Sequence, residues 1–369
     1  MTAIPFLDLA AQQAEIMDEI EPLVLETLRT AHFVGGPRLD TFEAEYAAFV
    51  GTSHCIGAGN GTDAIELILR ACNISAGDEV ILPANTFIAT AEAVVRAGAT
   101  VVLADVDPVS LLLSPDSVAA AATSRTRAVI PVHLYGQMAP VEKIIPIADA
   151  LKAIVIEDAA QSQGARRYGV GSGAAGAAAA TSFYPGKNLG AAGDAGAITT
   201  NDDVIADRVR TIGAHGSKVK YVHEVIGLNS RLDALQAIVL SAKLRRLNIW
   251  NERRRVAAAR YEELLRADHR VTTVPTLEGN VHAWHLFVVQ VDNRDVVLER
   301  LARAGVGAAI HYPTPIHLTE AFAHLGLAPG SFPVAEAAAG RILSLPMFPH
   351  ITVGQQEKVV AALSSALDG

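Results

Sequence analysis

The sequence predicts an α/β fold, in which a large domain with a mostly parallel sheet precedes a smaller C-terminal α+β domain. In the first part of the chain, short apolar runs alternate with helical patterns at a spacing of roughly thirty residues or less. A long helical stretch then leads into a second, shorter mixture of strands and helices. With 369 residues, 50% of them hydrophobic, the chain can bury two adjoining cores.

Four apolar runs are the predicted strands of the large domain, and polar residues follow them in the sequence. The runs cover residues 80–82, 101–103, 128–130 and 154–156. The polar residues are Asn85, Thr86, Asp105, His133 and Asp158. Ligands of open parallel sheets bind beyond the carboxyl ends of the strands, so we expect the site at that edge. The Ala- and Gly-rich residues 169–180 predict tight backbone packing rather than a disordered segment.

A helical pattern over residues 231–266 predicts a long helix that joins the two domains, because its apolar residues recur on successive turns. We assign residues 1–240, including the N-terminal segment, to the large domain and residues 241–369 to the smaller one. In the smaller domain we expect strands at residues 286–289 and 308–310, a helix at 294–304 and a C-terminal helix from about residue 354.

Composition and charge exclude several classes of function. A formal net charge of −9 argues against a general nucleic-acid surface, which would need clustered Lys and Arg. The two cysteines, Cys55 and Cys72, predict neither a disulfide framework nor a metal site and fit a reducing compartment. The sequence contains no signal-type N-terminus and no apolar run long enough to span a bilayer. We therefore expect a cytoplasmic protein without metal, nucleic acid or membrane partners.

A phosphate-binding site is predicted where residues 59–63 lead into an amphipathic helical pattern. Gly61 and Thr62 would lie at the helix N-terminus, where free amide groups favour an anion. Alternatively, Thr62 or Asp63 forms an ordinary N-cap. The hydroxyl group of Ser182, five residues before Lys187, would contact the same phosphate.

Lys187 and Asp158 together suggest a pyridoxal phosphate (PLP) site. The cofactor needs a lysine amine to hold its aldehyde as a Schiff base and a carboxylate to keep its pyridine nitrogen protonated. Asp158 ends an apolar strand, although it could instead cap a helix, and a lysine in a Pro-Gly-Lys turn is usually solvated. Gln161 would reach the ring oxygen or form a capping box, and Phe87 would stack on the ring or lie in the core.

The chain resembles the PLP-dependent sugar aminotransferases of the DegT/DnrJ/StrS type, which have fold type I. The resemblance extends over nearly the whole chain, through ordered motifs at residues 6–9, 34–37, 59–64, 157–161, 182–190, 227–233, 282–285 and 311–313. The chain departs from the family pattern at two positions: it has Gln163 where many members have histidine, and Ala177 where many have aspartate. Neither departure removes a proposed catalytic group.

The resemblance implies that Lys187 forms the Schiff base and that Asp158 pairs with the pyridine nitrogen. Gln161 would contact the ring oxygen, Phe87 would stack on the ring, and the phosphate would be bound by Gly61, Thr62 and Ser182. Asn229 would reach the cofactor phosphate of a neighbouring subunit, so that two active sites are shared within a homodimer. Alternatively, Asn229 caps the long helix.

The resemblance also implies that the hexose of a nucleotide-linked keto-sugar contacts Tyr184, His311 and Tyr312. His311 could instead be a hydrogen-bonded structural residue. Tyr221 and Arg231 are candidates for binding the nucleotide diphosphate, although Arg231 could equally pair with Asp233 or Glu224.

The implied reaction has two halves and passes through pyridoxamine phosphate (PMP). L-glutamate would donate the amino group, and a dTDP-3-keto-6-deoxyhexose would accept it, since residues 312–318 most resemble members that aminate C3. Amination at C4 is the alternative. Three other functions are alternative interpretations of the sequence. One is a sugar dehydratase of the same family, which would have histidine at position 187, and another is a non-catalytic regulator that binds PLP or a sugar nucleotide. The third is a nicotinamide-dependent oxidoreductase, for which the Gly-rich signal is weak.

Overall fold

The computed structural model describes residues 3–368 and contains one large sheet and several small ones. The strands are β1 His54–Ala58, β2 Glu79–Pro83, β3 Thr100–Ala104, β4 Thr126–Val129, β5 Ile154–Asp158, β6 Arg166–Arg167, β7 Val170–Gly171, β8 Ala178–Ser182, β9 Gly196–Thr200, β10 Ser217–Val219, β11 Val222–His223, β12 Thr272–Thr273, β13 Asn280–Val281, β14 Phe287–Gln290 and β15 Ile342–Leu345.

The α-helices cover both faces of the large sheet and also pack against the C-terminal one. They are α1 Leu9–Ala14, α2 Met17–Thr30, α3 Pro37–Val50, α4 Gly61–Ala71, α5 Ile88–Arg96, α6 Pro115–Ala121, α7 Val141–Ala150, α8 Asp203–Gly213, α9 Ala234–Leu265, α10 Arg294–Arg303, α11 Pro333–Ala339 and α12 Val353–Asp368. Within residues 3–368, no helix is both long and apolar enough to cross a membrane.

The large sheet has seven strands in the order β1-β9-β8-β5-β4-β2-β3. All of them run in one direction except β9, which lies antiparallel to both of its neighbours. The prediction of an α/β fold with a mostly parallel sheet is therefore confirmed. The four predicted runs are β2 to β5, whereas β1, β8 and β9 were not predicted as strands.

Both faces of this sheet are buried, which explains why its strands are continuously apolar. Along β2, Val80 and Leu82 belong to the core under α4, α5 and α8, whereas Ile81 faces the core under α6 and α7. In the Ala/Gly segment, a side chain on Gly171 or Gly176 would come within 2.6 Å of a backbone oxygen. The expected tight packing is confirmed, and residues 178–180 of that segment begin β8.

The predicted long helix is α9, whose two halves pack against different cores. Leu240 and Leu247 contact the core formed with α3, and Tyr261 and Leu265 contact the core of the C-terminal sheet. Ile4 also belongs to this second core and forms a parallel bridge with Val306. The division of the chain at residue 240 stays a prediction, because α9 continues through that position.

The C-terminal sheet has the order β12-β14-β15, with α10 and α12 packed on it. The predicted strand at 286–289 is confirmed as β14, and the two predicted helices are α10 and α12. The strand predicted at 308–310 is reduced to a single bridge between Ala309 and Ser344. Gly307 pairs with Ile4 instead, and Pro313 and Pro315 cannot donate the hydrogen bonds that would extend the strand.

Candidate active site

A cavity of about 400 Å³ lies beyond the carboxyl ends of β1, β2, β5 and β8. This is the edge at which the sequence predicted a site. The residues of the predicted site that line this cavity are Gly61, Thr62, Phe87, Asp158, Gln161, Ser182, Tyr184, Lys187, His311 and Tyr312.

The N-terminus of α4 forms one end of the cavity. Its N-cap is Asn60, whose side chain accepts a hydrogen bond of 2.8 Å from the Asp63 amide. The alternative in which Thr62 or Asp63 is the N-cap is therefore wrong. A side chain on Gly61 would lie only 2.7 Å from the Ser182 Cβ, so glycine permits Ser182 to approach the helix end. The helix N-terminus and the hydroxyl-bearing residues Thr62 and Ser182 thus line the same end of the cavity, an arrangement suited to a phosphate.

Asp158 ends β5 at the floor of the cavity and is buried. No helix follows directly, which excludes the N-cap alternative. Its carboxylate accepts hydrogen bonds from the Thr90 hydroxyl at 2.8 Å and from the Ala160 amide at 3.1 Å. These two bonds hold the side chain in one orientation.

Gln161 bonds across the cavity instead of forming a capping box. Its Oε1 accepts from the Tyr135 amide at 2.7 Å, and its Nε2 donates to the Tyr312 hydroxyl at 2.9 Å. The Tyr312 ring lies 5.2 Å from the ring of Phe87, which is 51% exposed and is therefore not a core residue. Phe87 and Tyr312 form an aromatic wall.

Lys187 lies in a tight turn after β8, where its amide donates to the Tyr184 carbonyl at 2.8 Å. A side chain on Gly190 would be 2.2 Å from the Pro185 oxygen, so the turn requires glycine there. The lysine side chain is only partly exposed, and it points into the cavity rather than lying on the surface. Burial of its amine lowers the Lys187 pKa to about 8, although the Asp158 carboxylate acts in the opposite direction.

Two neutral histidines face Lys187 from the C-terminal part of the chain. Burial and the nearby Lys187 charge lower the pKa of His311 to about 4, and its Nδ1 lies 2.9 Å from the Ser344 hydroxyl. His285 also lines the cavity, its pKa is well below the usual value because of burial, and its Nδ1 lies 3.2 Å from Asn188 Oδ1. Both imidazoles are therefore uncharged at neutral pH.

Sequence reasoning assigned no role to several residues at the site: Phe6, Asn60, Thr90, Asn188 and His285. The motifs at 59–63 and 282–285 contain Asn60 and His285, but neither motif indicates which of its side chains faces the cavity. Gln163, the departure from the family pattern, lies outside the lining and donates to the Ser182 carbonyl at 2.8 Å.

Three predicted residues do not line this cavity: Tyr221, Asn229 and Arg231. Tyr221 is 82% exposed beside the β10–β11 hairpin, and Asn229 and Arg231 are also exposed. Asn229 does not cap α9, whose N-cap is Asp233. Among the residues that the structure describes, Arg231 forms no ion pair with Asp233 or Glu224.

The cavity fits PLP in its donor set. Gly61 lets Ser182 approach the N-terminus of α4, Lys187 provides an amine with a lowered pKa, and Asp158 provides a buried carboxylate on the same cavity. The exposed ring of Phe87 offers a face on which an aromatic ring can stack. Fold and site together define a PLP-dependent enzyme of the aminotransferase type.

Comparison with known proteins agrees with this class. Residues 14–364 match the DegT/DnrJ/EryC1/StrS aminotransferase family. The erythromycin biosynthesis sensory transduction protein EryC1 of Saccharopolyspora erythraea is 48% identical over 362 residues, covering 98% of this chain and 99% of that protein. The dTDP-3-amino-3,4,6-trideoxy-alpha-D-glucose transaminase of Streptomyces venezuelae is 42% identical, covering 98% of this chain and 95% of that protein.

Solved structures of similar proteins contain the expected kind of ligand. DesV of S. venezuelae, in complex with a ketimine intermediate, superposes with a TM-score of 0.97 at 41% identity, covering 100% of both chains. NtdA of Bacillus subtilis with bound PMP superposes with a TM-score of 0.91 at 30% identity, covering 100% of this chain and 86% of that one.

The chain belongs to the DegT/DnrJ/EryC1/StrS aminotransferase family. It is a PLP-dependent sugar aminotransferase, and PMP is the second form of its cofactor. The predicted family, fold, enzyme class and cofactor are therefore confirmed.

Proposed function

We propose that the protein transfers an amino group from L-glutamate to C3 of a dTDP-3-keto-6-deoxyhexose. The observation that carries the proposal is the placement of Lys187 and Asp158 on one cavity that also ends at the N-terminus of α4. The similar transaminase of S. venezuelae, named for a dTDP-3-amino sugar, supports the choice of nucleotide and carbon. Amination at C4 remains the alternative.

Residues of the large domain bind and orient the cofactor in this proposal. When bound, PLP supplies an electrophilic aldehyde and a ring that withdraws electrons from the neighbouring carbon. Gly61, Thr62 and Ser182 bind its phosphate through amide and hydroxyl groups, and Phe87 packs on the ring face. Asp158 would hold the protonated ring nitrogen, and the Gln161 amide, already bonded to Tyr312, would contact the ring oxygen.

Lys187 is the proposed acid and base of both half-reactions. Its amine attacks a carbonyl only when it is neutral, and a pKa of about 8 gives a substantial neutral fraction near physiological pH. The same amine would take up the proton from the amino-bearing carbon and release it later in the same half-reaction. Lys187 and Asp158 are thus the proposed catalytic residues.

Tyr184, His311 and Tyr312 are the proposed contacts of the hexose. Tyr184 is 59% exposed at the mouth of the cavity, whereas His311 and Tyr312 border its interior. His311 is neutral and held through Nδ1, so its Nε2 is free to bond to a sugar hydroxyl.

The proposed active unit is a homodimer in which each subunit contributes residues to the other's site. Within residues 3–368, no arginine lines the cavity, although a phosphate and a nucleotide diphosphate must both be bound. Tyr221, Asn229 and Arg231 are exposed and outside the cavity of their own subunit, which suits donation to a partner. Asn229 would then reach the cofactor phosphate, and Tyr221 and Arg231 would bind the diphosphate.

The test is turnover with purified protein, glutamate and a panel of nucleotide-linked 3-keto and 4-keto sugars. We expect the cofactor absorbance to change on addition of glutamate and the product mass to show an amino group in place of the keto oxygen. NMR of the product identifies the aminated carbon. Lys187→Ala should abolish both signals, and turnover that persists in this variant would contradict the mechanism. Binding of the sugar nucleotide without turnover would instead support a regulatory function.

A further inference from the structure

Two buried threonines connect α5 to the carboxylate of Asp158. The Thr90 hydroxyl lies 2.8 Å from Asp158 Oδ2, and the Thr86 hydroxyl lies 2.8 Å from the Thr90 hydroxyl. Thr90 is fully buried, and Thr86 is nearly so, with both side chains bordering the active-site cavity. This Thr86–Thr90–Asp158 chain joins parts of the sequence that lie 68 residues apart.

The direction of the hydrogen bonds follows from the chemistry of the three groups. A carboxylate only accepts, so the single hydroxyl proton of Thr90 is donated to Asp158. The bond between the two threonines must then be donated by Thr86 and accepted by Thr90. Consecutive hydroxyl groups polarise one another in a poorly solvated site, and Thr86 therefore strengthens the bond from Thr90 to Asp158.

The carboxylate keeps further acceptor capacity towards the cavity. Oδ2 accepts from Thr90, and Oδ1 accepts from the Ala160 amide at 3.1 Å. Each carboxylate oxygen has a second lone pair, so the remaining acceptor sites face away from these donors. The two bonds also fix the rotation of the carboxylate about its last side-chain torsion.

We infer that Thr90, supported by Thr86, is a positioning residue that orients Asp158 towards the cofactor ring nitrogen and thereby maintains the protonation of that nitrogen. The inference rests on the proposed role of Asp158. Without the Thr90 hydroxyl, Asp158 Oδ2 loses its buried donor, and only the Ala160 amide still restrains the rotation of the carboxylate. The ring nitrogen then holds its proton less well, and the ring withdraws electrons less strongly.

The experiment measures the ring nitrogen directly by ¹⁵N NMR of the full-length protein reconstituted with PLP labelled at that atom. In the wild type we expect the shift of a protonated ring nitrogen at neutral pH. Thr90→Val, which keeps the shape but removes the hydroxyl group, should move the shift towards that of the unprotonated ring. The kcat should fall about tenfold, as expected for loss of one hydrogen bond to a charged group.

Three further variants separate positioning from packing. Thr90→Ser keeps the hydroxyl group and should restore the wild-type shift and kcat. Thr86→Val should move the shift in the same direction but less far, and it provides the same test if Thr90→Val does not fold. Thr211→Val is the matched control, because Thr211 is buried but donates to the Asp207 carbonyl in α8, and it should leave the ring-nitrogen shift unchanged.

An unchanged ring-nitrogen shift in Thr90→Val or Thr86→Val would overturn the inference and leave both threonines with a packing role only. Asp158→Asn tests the proposed role of Asp158 separately. If Asp158 does not act on the ring nitrogen, the shift should be unchanged in Asp158→Asn as well as in the threonine variants. The NMR measurement needs no sugar substrate, so a wrong choice of sugar in the proposed function would not affect its outcome.

Discussion

Among single residues, Lys187 shows most clearly how surroundings set reactivity. Its neighbours remove water from the amine and lower the pKa to about 8, while Asp158 keeps the pKa from falling further. A lysine at the same place in an open turn would be almost fully protonated at neutral pH and a poor nucleophile. The cavity thus provides the activation that the Pro-Gly-Lys turn alone does not.

We therefore predict that the rate at which the cofactor-free protein captures PLP rises with pH, with a midpoint near 8. Below this pH the amine is an ammonium ion without a free electron pair, and above it the amine is neutral. Stopped-flow absorbance of PLP over a series of buffers measures the rate. Lys187→Ala should show no such phase, and a midpoint near the ordinary lysine value of about 10.4 would contradict the argument.

Among the secondary-structure elements, the start of α4 depends on a close approach to β8. Gly61→Ala should weaken PLP binding by about tenfold or more, since the added Cβ would lie 2.7 Å from the Ser182 Cβ and would force the phosphate site apart. Equilibrium titration with PLP measures the effect. Gly354→Ala, in α12, is the control, because nothing lies within 4 Å of the added atom there. Equal affinities in both variants would show that the approach is not critical.

Helix α9 holds the segment that contains His285. Arg254, fully buried on this helix, donates from one guanidinium nitrogen to the carbonyl groups of Trp284 at 3.1 Å and Met347 at 3.0 Å. These bonds fix the loop against the helix without an acidic partner among the described residues. The position of His285 beside Lys187 therefore depends on a cation in the core.

Arg254→Met should lower the free energy of unfolding by about 2–4 kcal/mol, because buried carbonyl groups lose their donor. Chemical denaturation followed by circular dichroism measures the change. The neighbouring Arg255, which forms a half-exposed pair with Glu252, is the matched control. Arg255→Met should change the stability by less than about 0.5 kcal/mol, and a similar loss in both variants would argue against a special role for Arg254.

For the whole molecule, the proposed sharing of sites predicts complementation between two inactive variants. Lys187→Ala and Asn229→Ala subunits are mixed, unfolded together and refolded. If Asn229 serves the partner's site, each mixed dimer contains one site with both native residues and one with neither. Activity should then exceed the sum of the two variants measured separately. Activity equal to that sum would indicate that each subunit holds a complete site.

Much of the fold was predictable because its signals are local. The runs that became β2 to β5 are continuously apolar, as strands buried on both faces must be, and α9 repeats its apolar residues on successive turns. Strand β8 was missed because Ala178, Ala179 and Ala180 have little strand propensity, and β9 because it begins with Gly196 and Ala197, whose propensity is also low. The strand predicted near Ala309 failed because only one of its positions finds a partner.

The sequence by itself determined the candidates for the chemistry of this protein: a lysine, a carboxylate and a glycine at a helix start, each within a short motif. Only the tertiary structure decided which side chains support them. Thr90 meets Asp158, Gln161 meets Tyr312 and His285 meets Asn188 across 68, 151 and 97 residues, respectively. Such hydrogen bonds have no periodic or local signal in the sequence, because they form only when the packing of sheet and helices brings distant segments together.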